Sequence, residues 1–159
     1  MSKIIKLSAT VVCVDKRNNK ILMTYTKVGD DSFNLPCGVI DTGENPHTTA
    51  CREFERSTNL CLDPNRVFLA GFTNMTSEVD PFEYITMVFA CSDEAIIDRK
   101  SGTINHGSVD EIRWMTVESI EENKRFHRSE FVLIQTYMGI QSVQTEEKSP
   151  PFFRGAIAT

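Results

Sequence analysis

The chain has no apolar run near the roughly 20 residues that a membrane-spanning helix needs, so no helical span is expected. It has no cluster of lysine and arginine, and its formal net charge is −5 over 159 residues. Nucleic acid as a main partner is therefore disfavoured. A small anionic ligand is not, because a pocket can be positive on an acidic protein. No internal repeat and no linker long enough to split the chain is present. The N-terminal MSKIIKLSAT lacks a sustained apolar core and a convincing cleavage site, and is not read as a signal peptide. The cysteines number five, an odd count with no paired spacing. They read as reduced thiols, which points to a cytoplasmic protein.

What is present is ordinary globular usage, 40% hydrophobic and 25% charged, in a length suited to one domain over 1–159. Residues 4–14 are rich in β-branched types and predict a strand, with a polar turn at Asp15–Lys20 and a return strand at Ile21–Thr26. Gly29–Ser32 reads as a loop. Further strands are expected at Val67–Met75, Phe82–Cys91 and Glu111–Met115, and a short helix at Val117–Glu122. The polar stretch Asp93–Ser108 reads as loop. A helix capped by Ser129 is expected over 129–140, with Phe131, Ile134 and Met138 on one face. Gln144–Ser149 reads as a charged break, and 150–159, with Phe152 and Phe153, as a tail packed on the domain. Strands with one helix inside and another at the end predict an α/β sandwich with a mixed sheet.

The stretch GVIDTGENPHTTACREFERSTNL, Gly38 to Leu60, reads as a loop followed by a helix. Asn45 suits the N-cap and Pro46 the first helical position. Ala50 and Phe54 share an apolar face, while Glu53, Arg56 and Ser57 stand at i, i+3 and i+4 on another. Glu55 points nearly opposite to Glu53, since each helical residue turns about 100°. Asn59 tolerates the left-handed conformation that often ends a helix.

This stretch resembles the signature of the Nudix family of pyrophosphohydrolases, G-x5-E-x7-R-E-U-x-E-E-x-G-U with U a bulky apolar residue. Gly38, Glu44, Arg52, Glu53, Phe54 and Leu60 fall on it without a gap, while Arg56, Ser57 and Asn59 depart from it. Leu35-Pro36-Cys37-Gly38 is similar to the family's Leu-Pro-Gly-Gly entry, and Glu111 with Trp114 to an acidic–tryptophan pair late in its sheet. RSEFVLIQTYMGIQ followed by PPFFRGAI resembles a bacterial branch that acts on thiamine-pyrimidine pyrophosphate and on nucleoside di- and triphosphates. The resemblance implies an α/β/α sandwich and water attack on X–O–P–O–P bonds. It also implies Mg²⁺ or Mn²⁺ held by glutamates of the helix and by the carbonyl of the first glycine. On that basis the catalytic candidates are Glu53, Glu44 and Arg52. Gly38 and Glu53 are the metal candidates. The substrate-contact candidates are Gly38 and, from the chemistry of the side chains themselves, Arg56 for a phosphate and Phe33 and Phe82 for a base or pyrimidine ring.

The departures bear on the metal. Hard divalent ions want carboxylates, yet where the family carries three, this face carries Glu53, the permanently cationic Arg56 and the neutral Ser57. Loss of one ligand from a catalytic cluster usually costs orders of magnitude in rate. Three compensations are open. Loop carboxylates such as Glu94, Asp110 or Glu111 can fill in. Arg56 can replace the metal by gripping a diphosphate bidentately, so that Mg²⁺ would not tighten binding and Arg56→Ala would weaken it. Glu44 and Glu53 can keep one weak ion.

The expected function is recognition of a small pyrophosphate-containing compound, a nucleoside di- or triphosphate or similar, with weak or lost hydrolysis. The alternatives are an active Mg²⁺- or Mn²⁺-dependent pyrophosphohydrolase and a non-catalytic regulatory or protein-interaction module. No cofactor is expected outside the active case, no membrane partner is expected, and a homodimer is compatible with the resemblance. Blander roles stand beside these. Arg52 can simply orient Glu53, and Arg56 can be a solvated surface charge. Phe33 and Phe82 can be core rather than stacking platforms. Cys37 can be a small apolar filler rather than a nucleophile served by His47. Cys37, His47, Cys51 and Cys61 match no zinc spacing. His106 and His127 carry no distinguishable signal.

Overall fold

The computed structural model describes residues 4–26, 32–76, 81–99, 111–122 and 129–146. In chain order the strands are β1 (Ile4–Asp15), β2 (Lys20–Thr26), β3 (Ser32–Asn34), β4 (Cys37–Val39), β5 (Leu60–Leu62), β6 (Phe68–Thr76), β7 (Phe82–Ser92), β8 (Ile96–Arg99) and β9 (Glu111–Thr116). The helices are α1 (Pro46–Thr58), between β4 and β5, and α2 (Val117–Glu122) and α3 (Ser129–Glu146), after β9. Among the described residues seven strands form one sheet, with β3-β2-β1-β7-β6 in order, β4 on β1 and β9 on β2. β1 and β7 run parallel in unbroken register from Ile4↔Phe82 to Val14↔Ser92, and the other pairs are antiparallel. The sheet is therefore mixed, as the sequence predicts.

Alternation along the strands sorts side chains to two faces. Val12, Val14, Ile21, Met23, Val88 and Ala90 belong to the cluster shared with Val132 and Val143 of α3. Ala9, Val11, Cys13, Leu22, Phe89 and Cys91 belong to the cluster shared with Ala50 and Phe54 of α1. Helices on both faces make the expected α/β/α sandwich. Burying Phe54 fully contributes about 1.5–3 kcal/mol and fixes the roll of α1 against the sheet.

The chain crosses from β3, on β2, to β4, on β1, through Leu35 and Pro36. The Pro36 carbonyl accepts from the Val11 N–H at 3.1 Å and from Thr10 Oγ1 at 2.8 Å. This ties the entry of the site loop to the central strand. α1 starts where expected: Asn45 Oδ1 accepts from the His47 N–H at 2.9 Å, with Pro46 in the first turn. It ends on Asn59 at φ 61°, whose N–H donates to the Glu55 carbonyl.

Two expectations need correction. Asp93–Ser108 is not wholly loop: Asp93–Ala95 form a 3-10 turn and β8 pairs with β5 in a second small sheet. The partner of Ile96–Arg99 lies far back in the chain, so no local pattern reveals it. α3 runs to Glu146, through the first part of the expected charged break, and its buried line is Val132, Thr136, Gly139 and Val143. Ile134 points outward, 52% exposed. The run FVLIQTYMGI is apolar on more than one side, so periodicity alone does not choose the face. Gly139 does not stop the helix but lets it seat on Val12, where a Cβ would stand 2.4 Å from the Val12 Cβ. The expected tail at 150–159, together with Asp110, His106 and His127, lies outside the described residues.

Candidate active site

The site is built where β4, the following loop and α1 meet. Gly38 pairs with Ala9 of β1, and its α-carbon lies directly under the Glu53 side chain. A Cβ at position 38 would come within 2.4 Å of Glu53 Cγ and Cδ, so the glycine is needed here for space rather than for its backbone freedom.

Glu53 is buried, its side chain 9% exposed, and it is held from both sides. Its Oε2 accepts from Arg56 Nε at 2.7 Å and lies 2.6 Å from Arg56 Nη2. Its Oε1 lies 3.4 Å from Arg52 Nη2. Arg52 also reaches the loop: Nη2 donates to Glu44 Oε1 at 2.9 Å, and Nη1 stands 3.5 Å from Asp41 Oδ2. Glu44 Oε1 accepts in addition from the Thr49 hydroxyl. One guanidinium thus laces Asp41 and Glu44 to the helix carboxylate, and the ion pair expected between Arg52 and Glu53 is present. Ser57, one turn beyond Glu53, is buried.

Thr49 and Asp41 are members of this network that sequence reasoning passed over. Thr49 had a signal, since it stands four residues before Glu53 on the same helix face. Asp41 had none, because its approach depends on the turn in which the Glu44 N–H donates to the Asp41 carbonyl at 2.9 Å.

The other candidates are placed as follows. Phe33 is 1% exposed in the core, 4.8 Å from the Tyr25 ring and with the Arg113 guanidinium 5.3 Å from its centroid. This is the core placement, not an open stacking platform. Phe82 is half-buried at the start of β7, with the Lys6 ammonium 3.9 Å from its ring centroid. Glu94 pairs with Lys16 at 3.8 Å and lines a separate surface hollow with Asp15, Arg17, Asn18 and Asp93. Glu111 pairs with Arg113 at 2.6 Å. Glu55 receives the Cys61 thiol at 3.6 Å. His47 is engaged by the Val67 carbonyl at 2.9 Å and packs edge-on to Phe89, so it is not held as a base for Cys37. Cys37 is an exposed residue whose thiol is nonetheless crowded. Desolvation and the nearby Glu53 charge raise its pKa, with Arg56 acting the other way, which opposes a thiolate nucleophile.

Among the described residues no three His, Cys, Asp or Glu side chains converge as metal ligands. The residues present do not fit a hard divalent ion at Glu53. Its i+3 neighbour is a cation already seated on the carboxylate, its i+4 neighbour is a hydroxyl, and its second oxygen faces another arginine.

The family model for the NUDIX domain matches residues 5–136. Among solved structures, a NUDIX hydrolase from Nitrosomonas europaea superposes with a TM-score of 0.74 at 16% identity, over 86% of this chain and 89% of that one. A MutT NUDIX hydrolase from Burkholderia pseudomallei follows the same fold with a TM-score of 0.67 at 16% identity, over 82% and 97% of the two chains. The NUDIX domain of NrtR from Shewanella oneidensis, complexed with ADP ribose, matches with a TM-score of 0.62 at 13% identity, over 86% and 88%. With the signature glycine, glutamates and arginine drawn together beside the middle of α1 and the family match spanning most of the sequence, this chain belongs to the Nudix family.

Proposed function

We propose that the protein recognises a small pyrophosphate-containing compound, a nucleoside di- or triphosphate or similar, and hydrolyses it weakly or not at all. Nudix proteins generally act on such compounds with Mg²⁺ or Mn²⁺, and the NrtR domain that shares this fold was captured with ADP ribose, itself a diphosphate ester. The observation that carries the reading is the seating of Arg56 on Glu53 at 2.6 Å. The one glutamate left on the metal face already has a cation. An incoming ion would have to displace a guanidinium from a largely buried carboxylate, with hydroxyls rather than carboxylates, Thr49 and Ser57, one turn to either side of Glu53. Arg52 ties Glu44 of the loop to Glu53 of the helix, which supports a signature loop and helix held together while the charge of the face differs from the family's.

The test is phosphate release from nucleoside di- and triphosphates, dinucleotides and thiamine-pyrimidine pyrophosphate, with Mg²⁺ or Mn²⁺. Wild type is compared with Glu53→Gln and with the double change Arg56→Glu, Ser57→Glu. Little or no turnover by wild type and clear turnover by the double variant are expected. Robust wild-type turnover that disappears in Glu53→Gln would sink the proposal and point to substitute metal ligands.

A further inference from the structure

Resting on that reading, we infer that the site takes its diphosphate as the metal-free anion, with Arg56 bridging the Glu53 carboxylate and the ligand, so that divalent cations compete with the protein for the ligand. Arg56 spends two nitrogens, Nε and Nη2, on the single oxygen Oε2 of Glu53. A guanidinium carries five N–H donors in a planar fork. The Arg56 side chain is 54% exposed, whereas that of Glu53 is 9% exposed. The cation therefore faces solvent with donors to spare while the carboxylate sits beneath it. That is the polarity an anion requires and the reverse of what a metal–diphosphate complex requires.

The charge balance sets the strength. Asp41, Glu44 and Glu53 against Arg52 and Arg56 leave a formal −1, and the outlying Asp41, 71% exposed, is screened by solvent. Recognition then comes from charge-assisted, bidentate hydrogen bonds at Arg56 rather than from a positive field. Affinity should be modest and should fall with added salt. Mg²⁺ coordinates the same phosphate oxygens that Arg56 would grip. In relatives with a carboxylate cluster the ion is an attraction; here it would cancel most of the ligand's negative charge and bring a second cation against Arg56.

Isothermal titration with inorganic pyrophosphate and with a nucleoside diphosphate, in EDTA and in excess Mg²⁺, tests this. Circular dichroism melts show that each variant is folded. Wild type should bind in EDTA and lose about tenfold, near 1.4 kcal/mol, when Mg²⁺ is added. Arg56→Ala should lose a similar factor in EDTA, Arg56→Lys should recover part of it, and Arg56→Glu, Ser57→Glu should bind only with Mg²⁺. Wild-type binding that Mg²⁺ tightens overturns the metal-free form while leaving pyrophosphate recognition standing. Binding in EDTA that a folded Arg56→Ala variant keeps in full overturns the role of Arg56. No binding by wild type under either condition overturns both this inference and the functional reading beneath it.

Discussion

Arg56 meets Glu53 through two nitrogens on one carboxylate oxygen, at 2.6 and 2.7 Å, one helical turn along α1. With Arg52 on the other oxygen, Glu53 is clamped between two guanidiniums. Removing Arg56 leaves a buried carboxylate on the longer Arg52 contact alone. Because Arg56 itself is about half exposed, solvent screens much of the pair, and Arg56→Ala should destabilise by only about 1 kcal/mol. Urea denaturation with an unchanged m-value is the check. An unshifted midpoint would mean that the pair contributes nothing net to stability.

Gly38→Ala should be more damaging than its size suggests. The added methyl falls 2.4 Å from Glu53 Cγ and Cδ, and Glu53 cannot swing aside without leaving both arginines. A loss of about 1–3 kcal/mol is expected from overpacking, together with loss of any ligand binding that depends on Arg56. A thermal melt and a pyrophosphate titration on the same sample read both effects.

Gly139→Ala sets two opposing terms against each other. Alanine gains about 1 kcal/mol of helix propensity over glycine. The new Cβ would stand 2.4 Å from Val12 Cβ and Cγ1, and a β-branched side chain in a central strand has little freedom to yield. Overpacking wins, and a net loss of about 1–2 kcal/mol is expected. Val12→Ala in the same chain should restore part of it, and a double-mutant cycle measures that coupling.

Thr136 is fully buried on α3, and among the described residues its hydroxyl has no hydrogen-bond partner. Thr136→Val keeps the shape and removes the stranded oxygen. It should stabilise by about 1 kcal/mol, read as a higher denaturation midpoint. A lower midpoint would mean that the hydroxyl has a partner in solution, such as a buried water.

The Cys51 thiol is pushed up to about 11 from its usual value near 9, first by desolvation and then by Cys61 and Asp63. Its folded pKa is raised, so between these values the unfolded chain gives up the proton while the folded one keeps it. The contribution is complete below about pH 9 and is lost as pH rises towards 11. Stability should therefore fall through that window, and Cys51→Ala should flatten the fall. pH-dependent melts on both chains check the sign.

Much of the site is legible in the sequence. Asn45, Pro46 and Asn59 mark both ends of α1, and the i, i+3, i+4 spacing puts Glu53, Arg56 and Ser57 on one face, because caps and helical periodicity are local physics. The two-nitrogen contact, the lacing of Asp41 and Glu44 by Arg52, and the need for a bare α-carbon at Gly38 depend on how loop and strand approach the helix.

What the sequence by itself determined is the family, the mixed sheet and the charge of the metal face, since each follows from residue identity at fixed short spacing. Only the tertiary structure decided which side of α3 is buried, that Ile96–Arg99 pairs back to Leu60–Leu62, that Phe33 belongs to the core, and that Glu53 is already neutralised. Those outcomes rest on contacts between segments far apart in the chain, where packing against a particular neighbour outweighs any local preference.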